Sequence, residues 1–334
     1  MSLSVGSALY IVFISAILVF AVFSNSLVIY CVYKYRKLRT VTNVLVCNLA
    51  VSDILLSGFV MPQKLHDISH EEDFYEGVAL CKLVNFSPIL VITSSIYSLV
   101  CVSVERERAI VHSTKRQMTF KMLYWVIPAI WVFACIVSVP TLIEYEVNNV
   151  TSSEEGNASS LLSCGSQHMP TSYSVTNATF LVLISYVFPV IIMTKNYSQV
   201  ALFVWKKGRQ IHNMQNNTTS SNESFKQRVK VVKLLVVVAV IFALSWLPFF
   251  ILLLYAKITN SDASDDAGGF VNLFLIFLAS FSTAYNVVLY VLYNPSFNRA
   301  IKDIFGCRRG ATNDTNVNSQ MPPLSTIQGS QRDS

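Results

Sequence analysis

Cys81-Lys82-Leu83-Val84-Asn85 opens the most informative stretch of the chain. It continues as an apolar run from Ile89 to Val104, in which few polar groups are larger than Ser or Thr. It stops abruptly at Glu105-Arg106-Glu107-Arg108. An apolar helix this long, with a cysteine at one end and a charge cluster at the other, fits a membrane crossing. On that reading the cysteine faces an oxidising exterior, where a disulfide persists. The charge cluster then marks the cytosolic mouth.

Working outward, the whole chain has the same character. Of 334 residues, 53% are hydrophobic and only 13% charged, which excludes an ordinary soluble domain. Seven windows reach the length a crossing needs: Ala8–Val32, Val41–Met61, Val78–Val104, Leu123–Ile143, Tyr173–Val204, Val231–Tyr255 and Phe270–Tyr293. An odd number places the termini on opposite sides. After the first, third and fifth windows come Lys34, Arg36, Lys37, Arg39; Arg106, Arg108, Lys115, Arg116; and Lys206, Lys207, Arg209, Lys226, Arg228. The opposite loops hold only Lys64, Lys82 and Lys257, against many acids including Asp67, Glu71, Glu72, Glu144, Glu146 and Asp262. Basic loops belong in the cytosol, so the N-terminus is expected outside and the C-terminus inside. The net charge of +6 hides an acidic outer and a basic inner face, and nucleic acid is not an expected partner.

The first window has no basic leader, outruns a signal sequence and continues into Lys34-Tyr35-Arg36-Lys37, so it reads as an anchor that stays in the membrane. Residues 1–7 form a short outer terminus, and no N-terminal ligand-binding domain is expected. Among the seven cysteines, 31, 47, 101 and 135 fall in spans and Cys307 beyond the last; Cys81 and Cys164 make the obvious outer pair. Metal-ligand spacing is absent from the sequence. The histidines (66, 70, 112, 168 and 212) lie near loops without a paired acid or nucleophile, so no enzyme is expected.

Asn25 in span one should turn its amide toward other helices. Asp53 is read as the only carboxylate well inside a span, and an intramembrane acid is a functional candidate by default. The bland account is a neutral, hydrogen-bonded structural residue. Pro62 should kink or end span two, and Pro88 should kink span three and free a carbonyl beside Thr93, Ser94 and Ser95.

Asn25, the Leu49-Ala50-Val51-Ser52-Asp53 run, Cys81, Glu105-Arg106 and Trp131 together resemble the signature of rhodopsin-like G-protein-coupled receptors. Later spans extend the likeness. They hold Pro189 and Tyr197, then Phe242-Ala243-Leu244-Ser245-Trp246-Leu247-Pro248-Phe249, then Asn286-Val287-Val288-Leu289-Tyr290 with Asn294-Pro295-Ser296-Phe297. Short motifs are individually weak, but eight in order on seven spans, from Asn25 to Cys307, are specific. The resemblance implies an all-α seven-helix bundle over residues 8–308, with a short amphipathic helix at 295–306 and a disordered tail at 309–334. Phe297, Ala300, Ile301, Ile304 and Phe305 give that helix its apolar face, suited to the membrane interface.

The same resemblance assigns roles. Cys81 and Cys164 would form the disulfide over helix three. Glu105, Arg106, Tyr197 and Tyr290 would form the G-protein switch, with Arg106 paired to Glu105 at rest. Phe242, Trp246, Pro248 and Asn286 would form the activation core; a packed aromatic cluster at a proline kink is the bland account. Asp53, Ser95 and Asn286 would hold an allosteric sodium ion, whose hardness suits oxygen ligands; no other cofactor is implied. Four departures stand out: Arg228 where a second acid is common, Glu107 in place of Tyr, Val287 in place of Pro, and Ser282 in place of Asn. Arg228 would repel Arg106, which implies appreciable basal signalling.

Asn149 and Asn157 head glycosylation sequons in the polar outer segment. Cys307 beside Arg308-Arg309 is a palmitoylation candidate, the alternative being a free thiol. The polar segment from Gln210 to Ser224 reads as mobile. Pro88 stands where amine receptors carry an Asp, and Ser280 where opsins carry the Schiff-base lysine. An acidic vestibule and the run Leu38-Arg39-Thr40-Val41-Thr42-Asn43 look more like peptide receptors. Pocket candidates, taken from depth, are Pro88, Ile89, Ile92, Trp246, Phe249, Phe250, Ile276 and Ser280.

The expected function is thus conversion of a neuropeptide-like signal into activation of a heterotrimeric G protein at the plasma membrane. Arrestin, receptor kinases and membrane lipid would be further partners. An amine or lipid receptor and an opsin-like photoreceptor are the alternatives. A transporter is disfavoured because internal repeats are missing.

Overall fold

The computed structural model describes residues 5–63, 65, 77–112, 117–152, 159–166, 168–213, 219–259, 268–293 and 295–306. Among the described residues eight α-helices follow one another: α1 (Val5–Lys34), α2 (Val41–Leu55, extended through a wide turn to Gln63), α3 (Val78–Ile110) and α4 (Phe120–Glu144). After a hairpin come α5 (Thr171–Val182, a wide turn, then Phe188–Asn213), α6 (Thr219–Thr259), α7 (Gly268–Tyr293) and α8 (Pro295–Ile304). The first six are long and apolar enough to cross a bilayer, and the described part of α7 adds a shorter apolar helix, Leu273–Val288. With α7 the chain forms a seven-helix multi-pass bundle. α3 runs through its middle, packed against α2, α4 and α5, while α1 closes on α2 and α7, and α6 on α5 and α7.

The surface is that of a protein dissolved in lipid. Tyr124 and Trp125 are each 74% exposed, as interface aromatics are, whereas Ser52, Ser94, Ser98, Ser103 and Ser138 are buried. Small hydroxylated residues let helix backbones approach, and their hydroxyls find partners where water is absent. Asn48 joins three helices in this way: it donates to Ser98 Oγ (2.8 Å) and accepts from Trp131 Nε1 (2.9 Å). Asn25 donates to the Ala21 and Thr283 carbonyls (3.0 and 2.9 Å), tying α1 to α7 as its polarity demanded.

Prolines shape two helices. Pro62 and Pro189 lack the N–H that would bond the carbonyls of Gly58 and Ser185, and their rings crowd those carbonyls. Each of those carbonyls lies in a wide π-type turn, Leu56–Val60 and Leu183–Val187. The second turn is stitched to α3, where Tyr97 donates to the Ile184 carbonyl (2.9 Å) and Thr93 to Ser185 Oγ (3.0 Å). Pro88 acts otherwise: α3 passes through it as one continuous helix. Thr40 and Thr119 cap α2 and α4 by accepting from Asn43 and Met122 backbone N–H groups. Gly306, with φ of 66°, closes the last turn after α8 in a conformation that side chains resist.

One expectation needs correction, and two elements add to what the sequence showed. The polar segment from Gln210 to Ser224 is largely helical: α5 runs on to Asn213 and α6 starts at Thr219, twelve residues before the apolar window. The segment after α4 forms a hairpin, pairing β1 (Glu146–Ser152) with β2 (Ser159–Gly165) and placing Val147 opposite Cys164. Finally, α8 buries Phe297 and Ala300 completely or nearly so against the bundle, leaving Phe305 exposed for the interface.

Candidate functional site

α3 carries a site at each end. At one end Cys81 is bonded to Cys164 of β2, with Cα atoms 5.6 Å apart. This pins the hairpin over a cavity of about 360 Å³, within the range of small-ligand pockets. Its floor is Trp246 and its walls include Pro88, Ile89, Ile92, Phe249 and Ile276, all expected from depth. Phe250 and Ser280 were expected there too but lie off the lining. Each follows by one residue a neighbour that does line the cavity, Phe249 and Ala279, and is therefore turned about 100° round its helix. Phe250 instead packs on Tyr186 of α5 (centroids 5.0 Å apart), and Ser280 is fully buried with no partner for its hydroxyl.

Below the floor an aromatic chain descends α6, Phe249 to Trp246 (5.7 Å, edge to face) and Trp246 to Phe242 (6.0 Å). Pro248 sits inside α6 within this cluster. Trp246 Nε1 is buried without a hydrogen-bond partner.

Midway down, Asn286 donates to Asp53 Oδ2 at 3.0 Å, and both are buried. Asn286 Oδ1 has no partner. A carboxylate beside an orphaned amide oxygen is a donor set that fits a hard cation. Ser95 is buried at this level of the bundle but makes no hydrogen bond to Asp53, and Ser282 bonds its own helix at the Ala279 carbonyl (2.7 Å).

At the far end of α3, Arg106 pairs with Glu105 through both Nε and Nη2, the latter 2.6 Å from Oε1. A third member was not expected. Thr42, at the start of α2, donates to Glu105 Oε2 (2.8 Å) and accepts from Arg106 Nη2. The clamp therefore joins α2 to α3. An ion pair at a partly exposed helix end can exchange partners without burying a bare charge. Tyr197 is buried nearby on α5 with its hydroxyl unpartnered. Tyr290 lies on α7, its side chain outside the described residues, as are the side chain of Asn149 and all of Asn157 and Cys307. The Arg228 side chain is likewise outside them.

Charge placement departs furthest from expectation. Besides Asp53, the acids Glu105, Glu107 and Glu144 are buried, each near an end of its helix rather than well inside a span. Glu144 and Lys257, expected among solvated outer loops, both line the cavity and meet there at 2.7 Å. Helical spacing held the signal. Trp246, Phe249, Leu253 and Lys257 follow one stripe of α6, and Val137, Thr141 and Glu144 one stripe of α4. Two histidines also have acids beside them, His112 near Glu107 (3.2 Å) and His168 near Glu146 (3.7 Å), although neither group lies at the cavity.

With this geometry in hand, comparison with known proteins is decisive. Residues 24–290 match the family described as 7 transmembrane receptor (rhodopsin family). The chain belongs to that family. It is similar to the neuromedin-K receptor of Oryctolagus cuniculus, 30% identical over 285 residues, covering 85% of this chain and 58% of the relative. The tachykinin-like peptides receptor 86C of Drosophila melanogaster is 26% identical, covering 86% of this chain and 56% of its own. The pyroglutamylated RF-amide peptide receptor of Rattus norvegicus is 28% identical, covering 84% and 65%. The chain thus spans about two thirds or less of the length of these relatives. Family members of this kind are receptors, not enzymes.

Proposed function

We propose that the protein is a peptide receptor that activates a heterotrimeric G protein. One observation carries the reading: a single helix, α3, walls a ligand-sized cavity at Ile89 and Ile92 and holds an exchangeable arginine clamp at Glu105–Arg106. A ligand that repacks the Trp246–Phe249 floor would move α6 against α3, and a G protein would then compete for Arg106. Similarity to receptors whose names specify neuromedin, tachykinin-like and RF-amide peptides favours a peptide over an amine, and Pro88 supplies no charge for an amine.

In this account the chain sits in the plasma membrane with the disulfide end outside and α8 in the cytosol, in keeping with its basic inner loops. Asp53, Asn286 and Ser95 would hold a sodium ion, which supplies charge neutralisation between α2, α3 and α7. Asn149 and Asn157 would carry glycans, and Cys307 a palmitoyl chain. Tyr197 and Tyr290 would take up Arg106 in the active state. Residues 1–7, the helical body 8–308 and a tail 309–334 form the working division, the tail serving kinases and arrestin.

The test is second-messenger output in cells expressing wild type or Arg106→Ala, against a panel of neuropeptides and amines. A peptide response that is lost in the variant at equal surface expression supports the reading. Responses to amines alone would overturn it.

A further inference from the structure

The cavity contains a charge pair that the apolar floor does not require. Glu144 ends α4 with its side chain only 3% exposed, and one carboxylate oxygen accepts from Asn177 Nδ2 of α5 at 2.6 Å. Its other oxygen, Oε1, forms an ion pair with Lys257 Nζ of α6 at 2.7 Å. The ammonium also donates to Ser166 Oγ (2.9 Å), just beyond β2, and stands 4.8 Å from the centre of the Tyr145 ring. Lys257 therefore links the outer end of α6 to α4 and to the strand held by the disulfide.

Polar atoms without partners surround Glu144. Asn177 Oδ1 and Thr141 Oγ1 are buried with no partner, and both residues line the cavity. A buried carboxylate and an orphaned amide oxygen accept, and the hydroxyl can accept too, so this cup has room for N–H groups beyond those that Lys257 directs at it. A planar guanidinium offers five, in a fork that suits a carboxylate. An anionic ligand finds no such vacancy, since Lys257 already directs itself at a carboxylate, a hydroxyl and a ring.

We propose that Glu144, Asn177 and Thr141 form a subsite for a guanidinium group on the ligand, and that Lys257 is the tethered cation the ligand displaces. The subsite deepens the peptide-receptor reading and rests on it, specifying a basic peptide with an arginine side chain entering beneath the hairpin. Displacement frees the end of α6 from α4 and from Ser166. Lys257 lies eleven residues above Trp246, about 16 Å along the same helix, so release at the mouth is felt at the floor.

The test uses the full chain in lipid nanodiscs and three small probes: Nα-acetyl-arginine amide, its neutral isostere Nα-acetyl-citrulline amide, and acetylglycinate as an anion. Thermal unfolding is followed against probe concentration. The arginine probe should raise the midpoint where the other two do not. Lys257→Gln removes the competitor and should lower the half-saturating concentration several-fold, a gain that misfolding does not produce. Glu144→Gln should raise that concentration by roughly tenfold or more, the size of a lost charged hydrogen bond. If Glu144→Gln unfolds, Lys257→Gln alone decides.

Equal stabilisation by the citrulline probe, stabilisation by acetylglycinate that Lys257→Gln abolishes, or no arginine binding in Lys257→Gln overturns the proposal. Basic peptides that drive nucleotide exchange equally well through Glu144→Gln would sink the subsite and leave the receptor reading. Probe binding without any peptide-driven exchange would sink the receptor reading and leave the subsite.

Discussion

Thr42→Val tests the arginine clamp with the smallest change the structure allows. Thr42 is buried, and Val keeps its branched shape while deleting the hydroxyl. Two contacts to charged groups go with it, the donation to Glu105 Oε2 at 2.8 Å and the acceptance from Arg106 Nη2. Hydrogen bonds to charged groups contribute about 1.5–3 kcal/mol each. Glu105 and Arg106 retain each other, however, so the net loss is nearer 1.5 kcal/mol in total. If that loss falls on the resting state alone, the active fraction rises roughly tenfold, since about 1.4 kcal/mol is a factor of ten. The assay is ligand-free nucleotide exchange on the G protein, normalised to receptor at the surface. Thr42→Ser, which keeps the hydroxyl, should match wild type. Thr42→Val behaving like both would refute the reasoning, because the hydroxyl would then hold nothing that activation releases.

Other consequences are simpler to check. Asp53→Asn should abolish any difference in agonist affinity between sodium and potassium buffers, read by radioligand competition; a sodium effect that persists would remove Asp53 from the ion's site. Cys164→Ser should cut surface expression sharply in flow cytometry, as loss of a native disulfide costs about 2–5 kcal/mol and here also unpins the hairpin. Normal expression and peptide affinity would show that the hairpin holds its place without the bond. Arg228→Glu puts an acid where Arg228 now stands at the foot of α6 and should lower basal second-messenger output; equal or higher output would dismiss the repulsion argument.

The bundle was legible because apolar length and basic loops are read from residues one window at a time. The termini of its helices were less so. Thr219 to Lys230 is polar, and hydropathy cannot distinguish a helix leaving the bilayer from a loop. The hairpin was hidden because β1 and β2 are rich in Ser and Asn and depend on pairing with each other and on the Cys164 bond. At the site, Trp246, Ile89 and Ile92 were visible from depth, as was the Glu105–Arg106 pair. Thr42 was missed because an interhelical contact with a residue 63 positions away leaves no local pattern. Glu144 and Lys257 were assigned to solvent on charge alone, although their places on the buried stripes of α4 and α6 indicated the cavity. Burial of a charge is decided by its partner, and the partner lies on another helix.

The central claim is that the cavity and the Arg106 clamp are two ends of one device. Its most direct measurement is nucleotide exchange on purified heterotrimeric G protein by the receptor in nanodiscs, with binding of the same peptide measured in parallel. The account predicts that the peptide accelerates exchange with wild type, and that Arg106→Ala binds the peptide but gives no acceleration. Acceleration that survives Arg106→Ala, or peptide binding that never accelerates exchange in wild type, would contradict it.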